Sequence, residues 1–134
     1  MAVQLSEKDL QKQVFTVLTN LGYHVFETGK ARSQQKCKAC GAKQYATGWQ
    51  GNSPGLPDLY IHSKQWPRSV AIAIELKTEK GAIRDTQKTI NELGYTHICR
   101  SIGSVLRAIL TIEMHMNNES KVDQLKKVID INGF

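Results

Sequence analysis

Gly55-Leu56-Pro57-Asp58-Leu59-Tyr60-Ile61-His62 is followed, after a polar stretch from Ser63 to Ser69, by Val70-Ala71-Ile72-Ala73-Ile74-Glu75-Leu76-Lys77. Two apolar runs rich in branched residues around a turn-prone segment are the mark of a β-hairpin. Side chains alternate between faces along a strand. Ile72, Ile74 and Leu76 therefore share one face, and Ala71, Ala73, Glu75 and Lys77 share the other. In the first run Leu59 and Ile61 lie opposite Asp58, Tyr60 and His62. A slip of one residue would carry one apolar set to the wrong side. Antiparallel pairing of Leu59 with Ile74, and of Ile61 with Ile72, keeps both sets together. That register sets Asp58 across from Glu75, with Lys77 two residues further along the same face.

Neighbouring carboxylates repel unless a cation joins them, and hard divalent ions take oxygen ligands. A metal at this end of the hairpin polarises a phosphate and generates hydroxide, while a lysine orients water or neutralises developing charge. The plainer reading is an exposed strand end with a Glu75–Lys77 pair and a turn aspartate. Glu-x-Lys alone is a short motif and supports only that reading. Pro57-Asp58 one strand upstream, in compatible register, favours the metal site.

The chain has 134 residues, enough for one domain over 1–134 and too few for two. No apolar run approaches the length of a membrane span, and Met1 to Ser6 lacks a basic-then-apolar signal segment. The expectation is a chain without membrane association. Three cysteines, two of them close together, argue against a secreted disulfide framework and for a reducing compartment. A net charge of +6 and a pI near 9.3 favour an anionic partner.

Ser6 followed by Glu7, Lys8 and Asp9 predicts a helix start, and Leu10, Val14, Val17, Leu18 and Leu21 predict its buried stripe. Gly22 is the candidate C-cap, and Tyr23 to Thr28 reads as a strand. The stretch 29–54 is the least regular. It carries Lys30, Arg32, Lys36, Lys38 and Lys43 with no acid, interleaved with Tyr45 and Trp49. Basic groups track a phosphate backbone and aromatics stack on bases, so these seven are candidate nucleic-acid contacts. A solvated loop is the alternative. Cys37-Lys38-Ala39-Cys40-Gly41 within it resembles half of a zinc knuckle. Zn²⁺ on Cys37 and Cys40, a site shared in a dimer, and a redox-sensitive pair all remain open. Cys99 falls in an apolar run and reads as core.

Beyond Lys77, Thr78 to Gly81 predicts a turn. A helix is expected from about Arg84 to Leu93, stopped by Gly94, and a short central strand over Thr96 to Arg100. Ser101 is the candidate N-cap of a helix to about Met116, with Ile102, Val105, Leu106, Ile109, Leu110 and Ile112 on its apolar side. A last helix, Ser120 to Ile131, has Val122, Leu125, Val128 and Ile129 inward. The segment 118–134 packs on the domain or forms a dimer seam. The order of elements predicts an α/β chain with a mixed β-sheet flanked by helices.

Pro57-Asp58 followed by Glu75-Leu76-Lys77 resembles the PD-(D/E)XK nuclease superfamily. The fuller string is Gly55-Leu56-Pro57-Asp58-Leu59, then Ile74-Glu75-Leu76-Lys77, then Gly81 and Gln87. It resembles the virus-type replication-repair nuclease (VRR-NUC) branch, over about Glu7 to Ser101. The resemblance implies a restriction-endonuclease-like core and a metal-dependent DNA endonuclease of phage or bacterial replication and repair, hence a cytoplasmic setting. It implies Mg²⁺ or Mn²⁺ held by Asp58, Glu75 and the Leu76 carbonyl, with Glu7 approaching it from the first helix. Lys77 then positions or activates water, and Gln87 positions water or substrate. Helix-dipole compensation is the plainer role for Glu7, and a surface position for Gln87. Some superfamily relatives carry an aromatic four residues beyond the glutamine, where this chain has Asn91. A homodimer acting on branched DNA is a further implication. The 29–54 insertion and the 118–134 extension lie outside the resemblance. The rival class is a non-catalytic nucleic-acid-binding protein organised by the basic CxxC loop.

Overall fold

A computed structural model of the chain describes residues 5–28, 34–36, 43–45, 57–94 and 96–134, the two short segments by backbone alone. Helix α1 spans Glu7–Asn20. The Ser6 hydroxyl accepts from the Asp9 N–H at 3.1 Å, and Glu7 and Asp9 place negative charge in the first turn, where the helix dipole favours it. Leu10, Val14 and Leu18 recur every fourth residue and are buried. Gly22, at φ +90°, lets the chain reverse into strand β1, His24–Glu27.

Strand β2, Gln34–Lys36, pairs antiparallel with β3, Lys43–Tyr45. The 29–54 stretch, expected to be irregular, thus contains a short strand pair. Its strands are three residues long and polar, so no apolar alternation marks them.

Strand β4 is Leu59–His62, β5 is Ile72–Leu76 and β6 is His97–Cys99. The sheet order is β1-β4-β5-β6. The first three strands are antiparallel neighbours, and β6 runs parallel to β5. Parallel neighbours need a crossover. Here the crossover carries helix α2, Asp85–Glu92, closed by Gly94 at φ +82°. The hairpin register is the expected one, with Leu59 opposite Ile74 and Ile61 opposite Ile72.

Strand β6 was expected to be central; among the described strands it lies at the edge of the sheet. Its burial fits an edge, since His97 is exposed, Ile98 half-buried and only Cys99 buried.

Ser101 caps helix α3, Ile102–His115, by accepting from the Ser104 N–H at 3.1 Å. Helix α4, Glu119–Asn132, packs against α3, with Leu125 fully buried between them. Arg107 donates to the Phe134 carbonyl at 2.6 Å, and Lys121 donates to the Leu21 carbonyl. The 118–134 segment therefore docks on its own chain. Leu59, Ile61, Ile72, Ile74 and Leu76 form one core with the apolar stripes of α1 and α3 and with Leu125. Each such side chain contributes about 1.5–3 kcal/mol on full burial. Among the described residues the result is a mixed four-stranded sheet with four helices, of the α/β class. Among the described residues no helix is long and apolar enough to cross a membrane.

Candidate active site

The apolar face of the hairpin is consumed by the core, so Asp58, Glu75 and Lys77 are left on the other. Pro57 is fully buried and restricts the backbone at the start of β4. The Thr28 N–H donates to the Asp58 carbonyl at 2.8 Å, and the Thr28 hydroxyl donates to the Pro57 carbonyl. Asp58 is thus held from the β1 side. From the β5 side, its Oδ2 accepts the Leu76 N–H at 3.0 Å.

Glu75 and Lys77 stand at the C-terminal end of β5, which is covered on both sides by neighbouring strands. Glu75 is 2% exposed and Lys77 is 8% exposed. Lys77 Nζ lies 3.4 Å from Glu75 Oε1. Gln87 in the first turn of α2 donates through Nε2 to the same oxygen at 2.5 Å. The Arg84 N–H donates to Gln87 Oε1 at 2.9 Å, which turns the NH₂ end of that amide toward Glu75. Glu75 Oε2 is buried and accepts no hydrogen bond among the described residues.

Burial pushes the Glu75 carboxyl up to about 7; the Asp58 charge adds to the rise and Lys77 opposes it. Burial also raises Asp58, against the Leu76 N–H and Lys77, which pull it down. The Glu7 carboxylate repels both, so the start of α1 faces the same site. Among the described residues, no group of three or more His, Cys, Asp or Glu side chains is gathered as a ligand cluster. Magnesium rarely needs one, because it is usually held by one or two carboxylates, with waters and substrate phosphates completing its shell. A buried carboxylate oxygen with no donor, beside a second carboxylate, is a donor set that Mg²⁺ or Mn²⁺ fits.

The raised carboxyls make the metal-free protein lose stability as pH rises. Glu75 binds its proton more tightly when folded, at about 7, than when unfolded, near 4.5. Its contribution is therefore full below about pH 4.5, declines between 4.5 and 7, and is gone above 7. The expected loss is on the order of 3 kcal/mol. Thermal melts in EDTA at acid and alkaline pH should show it, and Glu75→Gln should flatten the difference. A wild-type curve no steeper than that of Glu75→Gln would contradict it.

Two features escaped the sequence. Arg100 Nη1 donates to the carbonyls of Thr78 at 2.6 Å and Gly81 at 2.9 Å, gripping the turn between Lys77 and α2. Trp66, in the β4–β5 connection, is buried and bonds to Glu113 of α3. Cys99 is buried in the core, as expected. Lys30, Arg32, Cys37, Lys38, Cys40 and Trp49 lie outside the described residues. Lys36, Lys43 and Tyr45 fall on β2 and β3, with Lys36 opposite Lys43 in register. Comparison of the chain with protein-family models, curated proteins and solved structures found no match in any of the three.

Proposed function

We propose that this chain is a metal-dependent DNA endonuclease with a restriction-endonuclease-like core of the VRR-NUC kind, acting in DNA replication or repair in a bacterial or phage-infected cytoplasm. The observation that carries the reading is the convergence of Asp58, Glu75, Lys77 and Gln87 at one end of the β4–β5 hairpin, with Glu75 Oε2 left without a donor among the described residues. Here a buried Glu75 and a half-buried Asp58 share a single buried lysine. The arrangement lowers stability without a cation, and such strain is a mark of functional sites.

Asp58, Glu75 and the Leu76 carbonyl would hold Mg²⁺ or Mn²⁺. Bound there, the ion supplies Lewis acidity toward a phosphate oxygen and a lowered pKa for water. Lys77 and Gln87 both hold Glu75 Oε1, which leaves Oε2 as the ligand oxygen. The Lys77 ammonium orients the attacking water and offsets negative charge growing on the phosphate. The excess of lysine and arginine supplies affinity for the DNA backbone independently of the chemistry.

Labelled linear, nicked, flapped and four-way DNA incubated with Mg²⁺ or Mn²⁺ should show strand scission that EDTA stops. Binding with no scission of any of them would instead mark a non-catalytic nucleic-acid-binding protein.

Arg100 acts here as a positioning residue. Arg100→Ala frees the Thr78 and Gly81 carbonyls and loosens the turn that sets α2 over Glu75. The expected outcome is a fall in turnover of about tenfold with substrate affinity retained, since misplacement of a reacting group is felt steeply. A loss confined to affinity, with turnover intact, would assign Arg100 to DNA contact instead.

A further inference from the structure

A second recess lies outside the carboxylate site. It is a cleft of about 490 Å³ between α1 and the edge strand β1, lined by Lys8, Gln11, Lys12, Phe15, Thr16 and Glu27. That volume lies within the range of small-ligand sites, roughly 300–1,000 Å³. Lys8, Lys12 and Phe15 are spaced four and three apart, so they form one stripe along α1. Neither lysine is ion-paired among the described residues. Phe15 is 46% exposed and takes no part in the core. A single exposed aromatic is ordinary. Here it walls a cleft beside two cations.

The position of the cleft gives it a direction. Lys8 follows Glu7, whose carboxylate repels both Asp58 and Glu75. On the other wall, Glu27 pairs with Leu59, the neighbour of Asp58. The cleft therefore lies on the α1 face of the sheet, with Lys8 next in sequence to Glu7 and Glu27 paired one residue from Asp58.

We infer that the α1–β1 cleft binds one unpaired nucleotide of a DNA strand, with Phe15 stacked on its base and Lys8 and Lys12 on the adjoining phosphates. The chemistry separates this ligand from simpler ones. A free phosphate has no use for Phe15. A base edge, by contrast, presents amino groups to acceptors. Gln11 Nε2 donates to Glu27 Oε1 at 3.0 Å, so its amide oxygen is the acceptor that this wall offers a base edge. A base inside a duplex already has both faces stacked, so Phe15 serves only a nucleotide out of the helix. The cleft thereby narrows the proposed substrate to DNA with a single-stranded segment. That narrowing rests on the nuclease reading; the binding site itself does not.

The test compares a blunt duplex with the same duplex bearing a short single-stranded tail that carries a fluorescent base analogue. Affinities are measured in EDTA, so that no cleavage intervenes. Phe15→Ala should weaken binding of the tailed DNA roughly 5- to 100-fold and abolish quenching of the analogue, while leaving the blunt duplex unchanged. Phe15→Trp should restore both. A combined Lys8→Ala and Lys12→Ala protein should bind both DNAs more weakly, with a salt dependence shallower by about two counterions. Equal loss on both DNAs, no loss on either, or no binding by the wild type overturns the inference. Absence of scission in Mg²⁺ or Mn²⁺ with the Phe15 effect intact would sink the nuclease reading and leave the cleft standing. Scission without a Phe15 effect would do the reverse.

Discussion

Asp58→Ala and Glu75→Ala should each lower the rate of DNA cleavage by at least about a thousandfold while leaving most of the DNA affinity in place. The two residues face each other across the hairpin, one step beyond the Leu59–Ile74 pair. Directly opposed residues have Cβ atoms about 4.5–5.5 Å apart, which lets both carboxylates reach one cation. Removing either leaves a single carboxylate and an incomplete site. Affinity for DNA comes mainly from lysines and arginines elsewhere in a chain of net charge +6, so it should persist. Glu75→Gln makes the point more sharply. It keeps the shape of the buried side chain and removes the charge that burial and Asp58 disfavour. The variant should therefore be more stable than wild type at alkaline pH in EDTA, yet inactive. Lys77→Ala should lose rate while metal binding persists, because an ammonium is not a ligand. Turnover by Asp58→Ala at the wild-type rate would remove the metal mechanism.

The largest expected effect on folding lies away from this site. Glu113 is fully buried in α3. Its Oε2 accepts from the Tyr23 hydroxyl at 2.8 Å, and its Oε1 accepts from the Trp66 indole N–H at 2.5 Å. Tyr23 begins the approach to β1, and Trp66 anchors the connection between β4 and β5. One carboxylate thus ties three segments far apart in the chain. Burial and the Glu113 contact hold the Tyr23 phenol well above its usual range. The two rings sit 5.7 Å apart, and Lys121 Nζ lies 5.2 Å from the centre of the Tyr23 ring.

Glu113→Ala strands two buried donors and opens a cavity, at an expected cost of about 3–5 kcal/mol. Total stability of a domain this size is about 5–15 kcal/mol, so the melting temperature should fall by about 10–20 °C. Glu113→Gln keeps one acceptor oxygen and turns an NH₂ toward the other donor, so it should lose roughly half as much. A Glu113→Ala protein melting within a degree or two of wild type would show that the network contributes little.

Much of the site was legible because the hairpin is two-sided. Apolar alternation in Leu59, Ile61, Ile72, Ile74 and Leu76 permits one register, and that register carries Asp58 to Glu75 without knowledge of the rest of the fold. Ser6 and Ser101 were legible as caps for a similarly local reason: each accepts from an N–H three residues on. The helix stop at Gly94 is local too.

What failed to show was non-local. Strand order depends on pairings between distant segments, so β6 was misplaced from the edge to the centre. The inward position of Glu113 was visible in principle, since it continues the spacing of Ile102, Val105, Leu106 and Ile109 along α3. Its partners lie 90 and 47 residues away, and nothing near it in sequence names them. Arg100 was equally obscure, because backbone carbonyls as partners leave no trace in residue identity. The β2–β3 pair was missed because short polar strands carry no hydrophobic period.

Binding of Mn²⁺ to the wild type, Asp58→Ala, Glu75→Ala and Lys77→Ala proteins, followed by calorimetry at neutral and alkaline pH, is the most direct test of the shared metal site. Wild type and Lys77→Ala should bind the ion, and Asp58→Ala and Glu75→Ala should each lose it. At neutral pH wild-type binding should release a proton, because burial holds the Glu75 carboxyl well above its usual range and it must ionise to ligate. Undiminished Mn²⁺ binding by Asp58→Ala or Glu75→Ala, or no binding by the wild type, would contradict the account.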